Sequence, residues 1–137
     1  MEIIGIGTDI TACTRIARML ERHPESFVDH VFTEGEHLYC VNQAGCVEHY
    51  AGRWCAKEAV LKTLGTGWIR GITWRDVEVC RQLSGRPTIR LFGGAKQKAD
   101  ELGIDDILIT ISHCREYATA TAIAIRHTGA SGCPAAS

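Results

Sequence analysis

The chain has 137 residues, enough for one domain that buries roughly two-thirds of its unfolded surface. Hydrophobic residues at 45% and charged residues at 23% mark an ordinary globular composition, and a formal net charge of -1 argues against broad nucleic-acid binding. No apolar run reaches the twenty or so residues that span a bilayer, and Met1-Glu2-Ile3-Ile4-Gly5 lacks a basic, signal-like start. The expectation is a cytoplasmic protein that meets any charged partner through a local patch.

The seven cysteines contain no C-x-x-C pair and their number is odd. Zinc sites usually draw on close pairs. The cysteines read instead as small, mostly buried hydrophobes in a reducing compartment.

In chain order, Glu2 to Ile10 reads as a strand whose Gly5 and Gly7 call for close approach by a backbone or a ligand. Asp9 falls near its end, at a sheet edge. Thr11 is the expected N-cap of a helix with Ile16, Met19 and Leu20 on its apolar side. Arg15, Arg18 and Arg22 form a basic stripe on that helix, which Pro24 ends. Ser26 to Phe32 reads as a short helical or irregular piece. Thr33 and Glu36 form a capping box for a helix through His37 to Cys40.

The stretch from Arg53 to Leu64 is composed of good helix formers and stops at Gly65. Its expected faces place Lys57, Glu58, Leu61 and Lys62 on one side, with Ala56, Val60 and Leu64 beside them. Glu58 and Lys62, four apart, are expected to pair. Val77 to Cys80 and Pro87 to Phe92 alternate about Ser84-Gly85 as a hairpin. Gly94 to Leu102 is a helix closed by Gly103. Ile107 to Ser112 and Tyr117 to Ile125 alternate as a second hairpin. Residues 128–137 are rich in Gly, Ala, Ser and Pro and are expected to be a disordered tail after a domain of residues 1–127. The order of elements fits an α+β fold, with helices packed on an antiparallel sheet.

Three polar groups stand where such a fold would favour apolar ones: Asp9, Glu58 and His113. Two carboxylates from separate elements suit Mg²⁺, which keeps waters and takes its other ligands from carboxylate and phosphate oxygens. Each residue also has a plain structural role open to it: helix initiation for Asp9, pairing with Lys62 for Glu58, and a surface position for His113.

The ordered blocks Gly5-Ile6-Gly7-Thr8-Asp9-Ile10, Phe32-Thr33 with Glu36, Arg53-Trp54 through Lys57-Glu58-Ala59 to Lys62, and Leu64-Gly65-Thr66-Gly67 resemble the bacterial-type 4'-phosphopantetheinyl transferases, the holo-[acyl-carrier-protein] synthase family. Gly71-Ile72-Thr73-Trp74 through Val79, Gly85-Arg86-Pro87 and Ser112-His113 with Tyr117-Ala118 continue the resemblance in order. Val41 to His49 carries no such motif. The resemblance implies transfer of the phosphopantetheine arm of coenzyme A to a serine of apo-acyl carrier protein, with release of adenosine 3',5'-bisphosphate. It implies a place in lipid and fatty acid biosynthesis. A non-catalytic module that binds coenzyme A is the alternative.

By the same resemblance Asp9 and Glu58 are the Mg²⁺ ligands, and Lys62 binds the diphosphate. His113 lies near the coenzyme A phosphates. Gly65 and Thr66, in the Gly-Thr-Gly turn, and Pro87 belong to the coenzyme A site. Independently of the resemblance, the 3'-phosphate needs cations, for which Arg53, Lys57 and Arg86, on this protomer or a neighbour, are the candidates. The proton of the attacking serine goes through water to Glu58, or directly to His113. The arginine stripe meets the acidic helix of the carrier, and the family's trimeric assembly is expected here too.

Overall fold

The structure, a computed structural model, describes residues 1–65 and 71–128; Thr66 and the tail beyond Thr128 lie outside them. Strand β1 (Glu2–Ala12) is followed by four helices: α1 (Cys13–Arg22), α2 (Pro24–Val31), α3 (Glu34–Val41) and α4 (Cys46–Thr63). A 3-10 turn over Trp74–Asp76 leads into β2 (Val77–Arg81) and β3 (Pro87–Leu91). Helix α5 (Gly93–Leu102) and strands β4 (Asp106–His113) and β5 (Tyr117–Arg126) complete the chain. The α+β class holds. Its strands form two antiparallel units, a three-stranded sheet in the order β1-β5-β4 and the separate hairpin β2-β3.

Small residues decide how α4 lies on the larger sheet. Ala118, Ala120, Ala122 and Ala124 of β5 are buried beneath it, and Gly5 and Gly7 continue that floor across β1. A Cβ on Gly7 would stand 2.0 Å from the Ala59 carbonyl oxygen, and one on Gly5 would stand 2.4 Å from that of Thr63. The glycines therefore admit a backbone. This close approach sets Asp9, two residues beyond Gly7 on the same strand face, against the exposed margin of α4.

The alternation in β4 and β5 follows the expected pattern, with Ile107 and the β5 alanines turned inward. The capping box at Thr33 and Glu36 is present, and Gly103 closes α5 at φ +76°. Thr11 departs from expectation. The β1-β5 ladder runs on to Ala12, so Thr11 is buried in the strand and Ala12 precedes α1. The Cys13 N–H donates to the Glu116 carbonyl instead, 2.8 Å away. Of the six described cysteines, none forms a disulfide; Cys13, Cys40 and Cys55 are buried, whereas Cys114 is exposed.

Lys57 also departs from its expected face. Its side chain is fully buried, pointing away from Glu58 toward α3 and β2. The ammonium pairs with Glu36 Oε1 at 2.7 Å and donates to the carbonyls of Val77 at 2.5 Å and Trp74 at 3.1 Å. Glu36 in turn accepts the N–H groups of Thr33 at 2.8 Å and Val79 at 2.7 Å. One buried ion pair thus fastens the cap of α3, the middle of α4 and strand β2. Burial lowers the Lys57 pKa, against the pull of Glu36.

Candidate active site

Helix α4 carries candidate site residues on two sides, and the structure separates them into two clusters. The first lies where its C-terminal half meets β1. Lys62 Nζ donates to the Thr8 carbonyl at 2.8 Å and stands 3.3 Å from Asp9 Oδ1, so Asp9 takes the place expected for Glu58 as its partner. Glu58 is half-buried beside them. Burial raises its pKa first, the negative charge of Asp9 raises it second, and Lys62 and Arg15 oppose both. Two carboxylates that repel one another in a half-buried setting constitute a hard, anionic oxygen site. Among the described residues no group of three or more His, Cys, Asp or Glu could hold a metal. The two carboxylates form a donor set that would fit a cation of the Mg²⁺ type, which keeps water and accepts phosphate oxygens.

Cys55, fully buried, supports this corner from below. Its thiol donates to the Ala118 carbonyl at 3.3 Å, and burial followed by the charge of Asp9 pushes its pKa to about 12. It remains a thiol. Arg15 lies 5.4 Å from the Trp54 ring centroid, and Trp54 stacks on Trp74 at 4.3 Å. Arg18 and Arg22 lie farther along α1, both exposed.

The second cluster is a cleft of about 210 Å³ between the N-terminal half of α4, the β2-β3 turn and the end of β4. Arg53, Arg81, His49 and His113 supply its charge and potential charge; Tyr39 and Pro87 are among its walls. Arg53 is only 6% exposed, and its guanidinium lies 4.1 Å from the Tyr39 ring centroid. The Arg81 guanidinium is 4.8 Å from the same ring. The Arg53 Nε is buried with no hydrogen-bond partner, which is costly unless a ligand satisfies it. None of the described residues lining this cleft is an acid.

Of the residues anticipated from sequence, Asp9, Glu58 and Lys62 converge in the first cluster, while Arg53, Pro87 and His113 converge in the second. Arg86 is exposed and lies against Leu108 and Ile109, outside both. Lys57 cannot reach a phosphate, because its three donors are committed in the core. Gly65 ends α4 at φ +71°, its N–H donating to the Lys62 carbonyl at 3.1 Å. Sequence reasoning missed His49, Tyr39 and Arg81. The helical spacing of His49 and Arg53, four apart, was the available signal.

Residues 5–122 match the family profile of the 4'-phosphopantetheinyl transferase superfamily. The chain belongs to that superfamily. A holo-[acyl-carrier-protein] synthase from Gloeobacter violaceus is 50% identical over 117 residues, covering 85% of this chain and 88% of the relative. The transferase fold is shared with an acyl carrier protein synthase from Plasmodium yoelii, solved with ADP bound, at a TM-score of 0.81 and 32% identity. That match covers 92% of this chain and 97% of the other. A Helicobacter pylori holo-[acyl-carrier-protein] synthase in complex with coenzyme A matches at a TM-score of 0.77 and 26% identity, covering 88% of this chain and 99% of that one.

Proposed function

We propose that this transferase is a holo-[acyl-carrier-protein] synthase. It moves the 4'-phosphopantetheine group of coenzyme A to a serine hydroxyl of apo-acyl carrier protein and releases adenosine 3',5'-bisphosphate. The observation that carries this reading is the convergence of Asp9, Glu58 and Lys62 across the β1-α4 contact, in a chain whose relatives carry that name.

Phosphoryl-type transfer depends mainly on positioning and charge neutralisation. Asp9 and Glu58 are the ligands of a Mg²⁺ ion, which when bound neutralises charge on the diphosphate of coenzyme A. Lys62, half-exposed, adds a mobile ammonium to the same oxygens. Within this cluster Glu58 is the candidate to accept the serine proton through water, while His113 lines the second cluster, which a neighbouring copy would bring to the same place. In that cleft Arg53 and His113 hold the 3'-phosphate, and Pro87 forms part of its wall.

The same separation supports a trimeric assembly. The sheet face away from α4 carries Ile6 and Ile10, which are 63% and 67% exposed, with Ile123 and Leu108 in register beside Ile6. Covering this apolar face with neighbouring copies gives a homotrimer in which the carboxylate cluster of one subunit faces the cationic cleft of another. Among the described residues no helix is long and apolar enough to cross a membrane. We assign the protein to the cytoplasm and to fatty acid biosynthesis.

The direct test is the mass of apo-acyl carrier protein after incubation with coenzyme A, Mg²⁺ and this protein. A gain of one phosphopantetheine on a serine is expected. An unchanged mass with intact coenzyme A binding would instead identify a non-catalytic binding module.

The carrier docks through α1. Because Arg15 is engaged with Trp54, the probe of docking is Arg18→Glu with Arg22→Glu. This pair is expected to raise the KM for the carrier by roughly tenfold, to leave coenzyme A binding unchanged, and to reduce the salt dependence of association. Equal losses for both substrates would contradict the assignment.

A further inference from the structure

Four groups supply the charge of the cationic cleft, and the proposed 3'-phosphate reading uses two of them, Arg53 and His113. His49 is a third, and its geometry is specific. Its ring meets that of His113 at 5.2 Å and 67°, and that of Tyr39 at 5.5 Å and 77°. The imidazole is thus clamped edge-to-face between α3 and β4, half-buried, at the wall of a cleft lined also by Arg53, whose Nε is buried and unpartnered. On the reading that this cleft holds a phosphate monoester, we infer that His49 is a further specificity-determining residue. It takes a proton from solvent as the dianion enters and donates to a phosphate oxygen.

The surroundings of His49 support both halves of this cycle. Tyr39 faces it from α3, His113 from β4 and Arg81 from β2; Arg53 and Glu48 face it from its own helix. Burial lowers its pKa first, and His113, Arg53 and Arg81 lower it further; Glu48 alone acts the other way. The empty-cleft imidazole is therefore held neutral near pH 7. A doubly charged phosphate beside it reverses the sign of the local field and favours the imidazolium, a charge-assisted donor. A ligand without that phosphate gives no such reversal. His49 thereby links phosphate recognition to proton uptake, and affinity for the phosphate rises as pH falls toward neutrality.

The test is calorimetric titration with adenosine 3',5'-bisphosphate in two buffers of different ionisation enthalpy. A pH of about 7.5 lies above the second phosphate pKa of about 6, so the ligand contributes little proton exchange of its own. The full-length wild type is compared with His49→Gln, His113→Gln and Arg53→Ala. Wild type and His113→Gln are expected to take up a fraction of a proton per site, whereas His49→Gln takes up less and binds roughly threefold to tenfold more weakly. Proton uptake unchanged in His49→Gln overturns the inference. If Arg53→Ala still weakens binding in that case, the phosphate reading of the cleft survives without His49. If neither Arg53→Ala nor His49→Gln changes binding, the phosphate lies elsewhere and both readings fall.

Discussion

Glu58→Gln is expected to abolish phosphopantetheine transfer while leaving the metal-free protein as stable as wild type or more so. The two effects share one cause. Glu58 is a carboxylate whose pKa is raised, by burial and then by Asp9, above its value in the unfolded chain. The folded state therefore holds the proton more tightly than the unfolded state does. As pH rises through the unfolded pKa to the folded one, stability falls, and above that window the ionised carboxylate is a net cost. A glutamine removes this cost and with it the proposed anionic ligand and proton acceptor. Turnover should drop by on the order of 10²- to 10⁴-fold. Mg²⁺ together with coenzyme A should raise the thermal midpoint of the wild type and not that of the variant. Near-normal turnover in the variant, or a lowered midpoint in metal-free buffer, would contradict this account of Glu58.

Lys57→Met is expected to produce the largest loss of stability among single substitutions on α4. Glu36 would remain as a buried carboxylate facing a thioether in place of its cation, and the carbonyls of Val77 and Trp74 would each lose a donor. Breaking one side of a buried ion pair typically costs about 3–5 kcal/mol. Replacing both members, Lys57→Met with Glu36→Leu, should recover part of that loss, because no uncompensated charge remains. Urea unfolding of the two variants distinguishes the outcomes. A single variant within about 1 kcal/mol of wild type would mean that the pair does not fasten β2 to α4. Activity should fall with stability for a geometric reason. Arg81 ends β2, so loosening that strand displaces one wall of the cationic cleft.

Much of this arrangement was legible in the residues. Two-residue alternation in Ile107 to Ser112 and in Tyr117 to Ile125 defined both strands, because one face of each is buried. Gly5 and Gly7 announced a close approach, and Thr33 with Glu36 announced a helix start. Asp9, Glu58 and Lys62 were readable because each is carried on a regular element near a glycine that fixes its setting. Lys57 was not, since helical angle alone places it beside Glu58 and only the packing of α3 and β2 reveals that its side of α4 is buried. Thr11 was missed because its local preference for capping lost to the extension of a ladder whose partner, Ala118, lies near the far end of the chain. The cleft is a tertiary product. Tyr39, His49, Arg81 and His113 come from α3, α4, β2 and β4, and no spacing in the chain encodes their meeting.

The central claim is that Asp9 and Glu58 jointly hold a divalent ion against the diphosphate of coenzyme A. A crystal structure with coenzyme A and Mn²⁺ in place of Mg²⁺, read by anomalous scattering, tests it most directly. The account predicts one anomalous peak within ligand distance of oxygens from both carboxylates and from the diphosphate, with Lys62 turned to the same oxygens. A bound diphosphate with no peak between Asp9 and Glu58, or a peak on other residues, would contradict it.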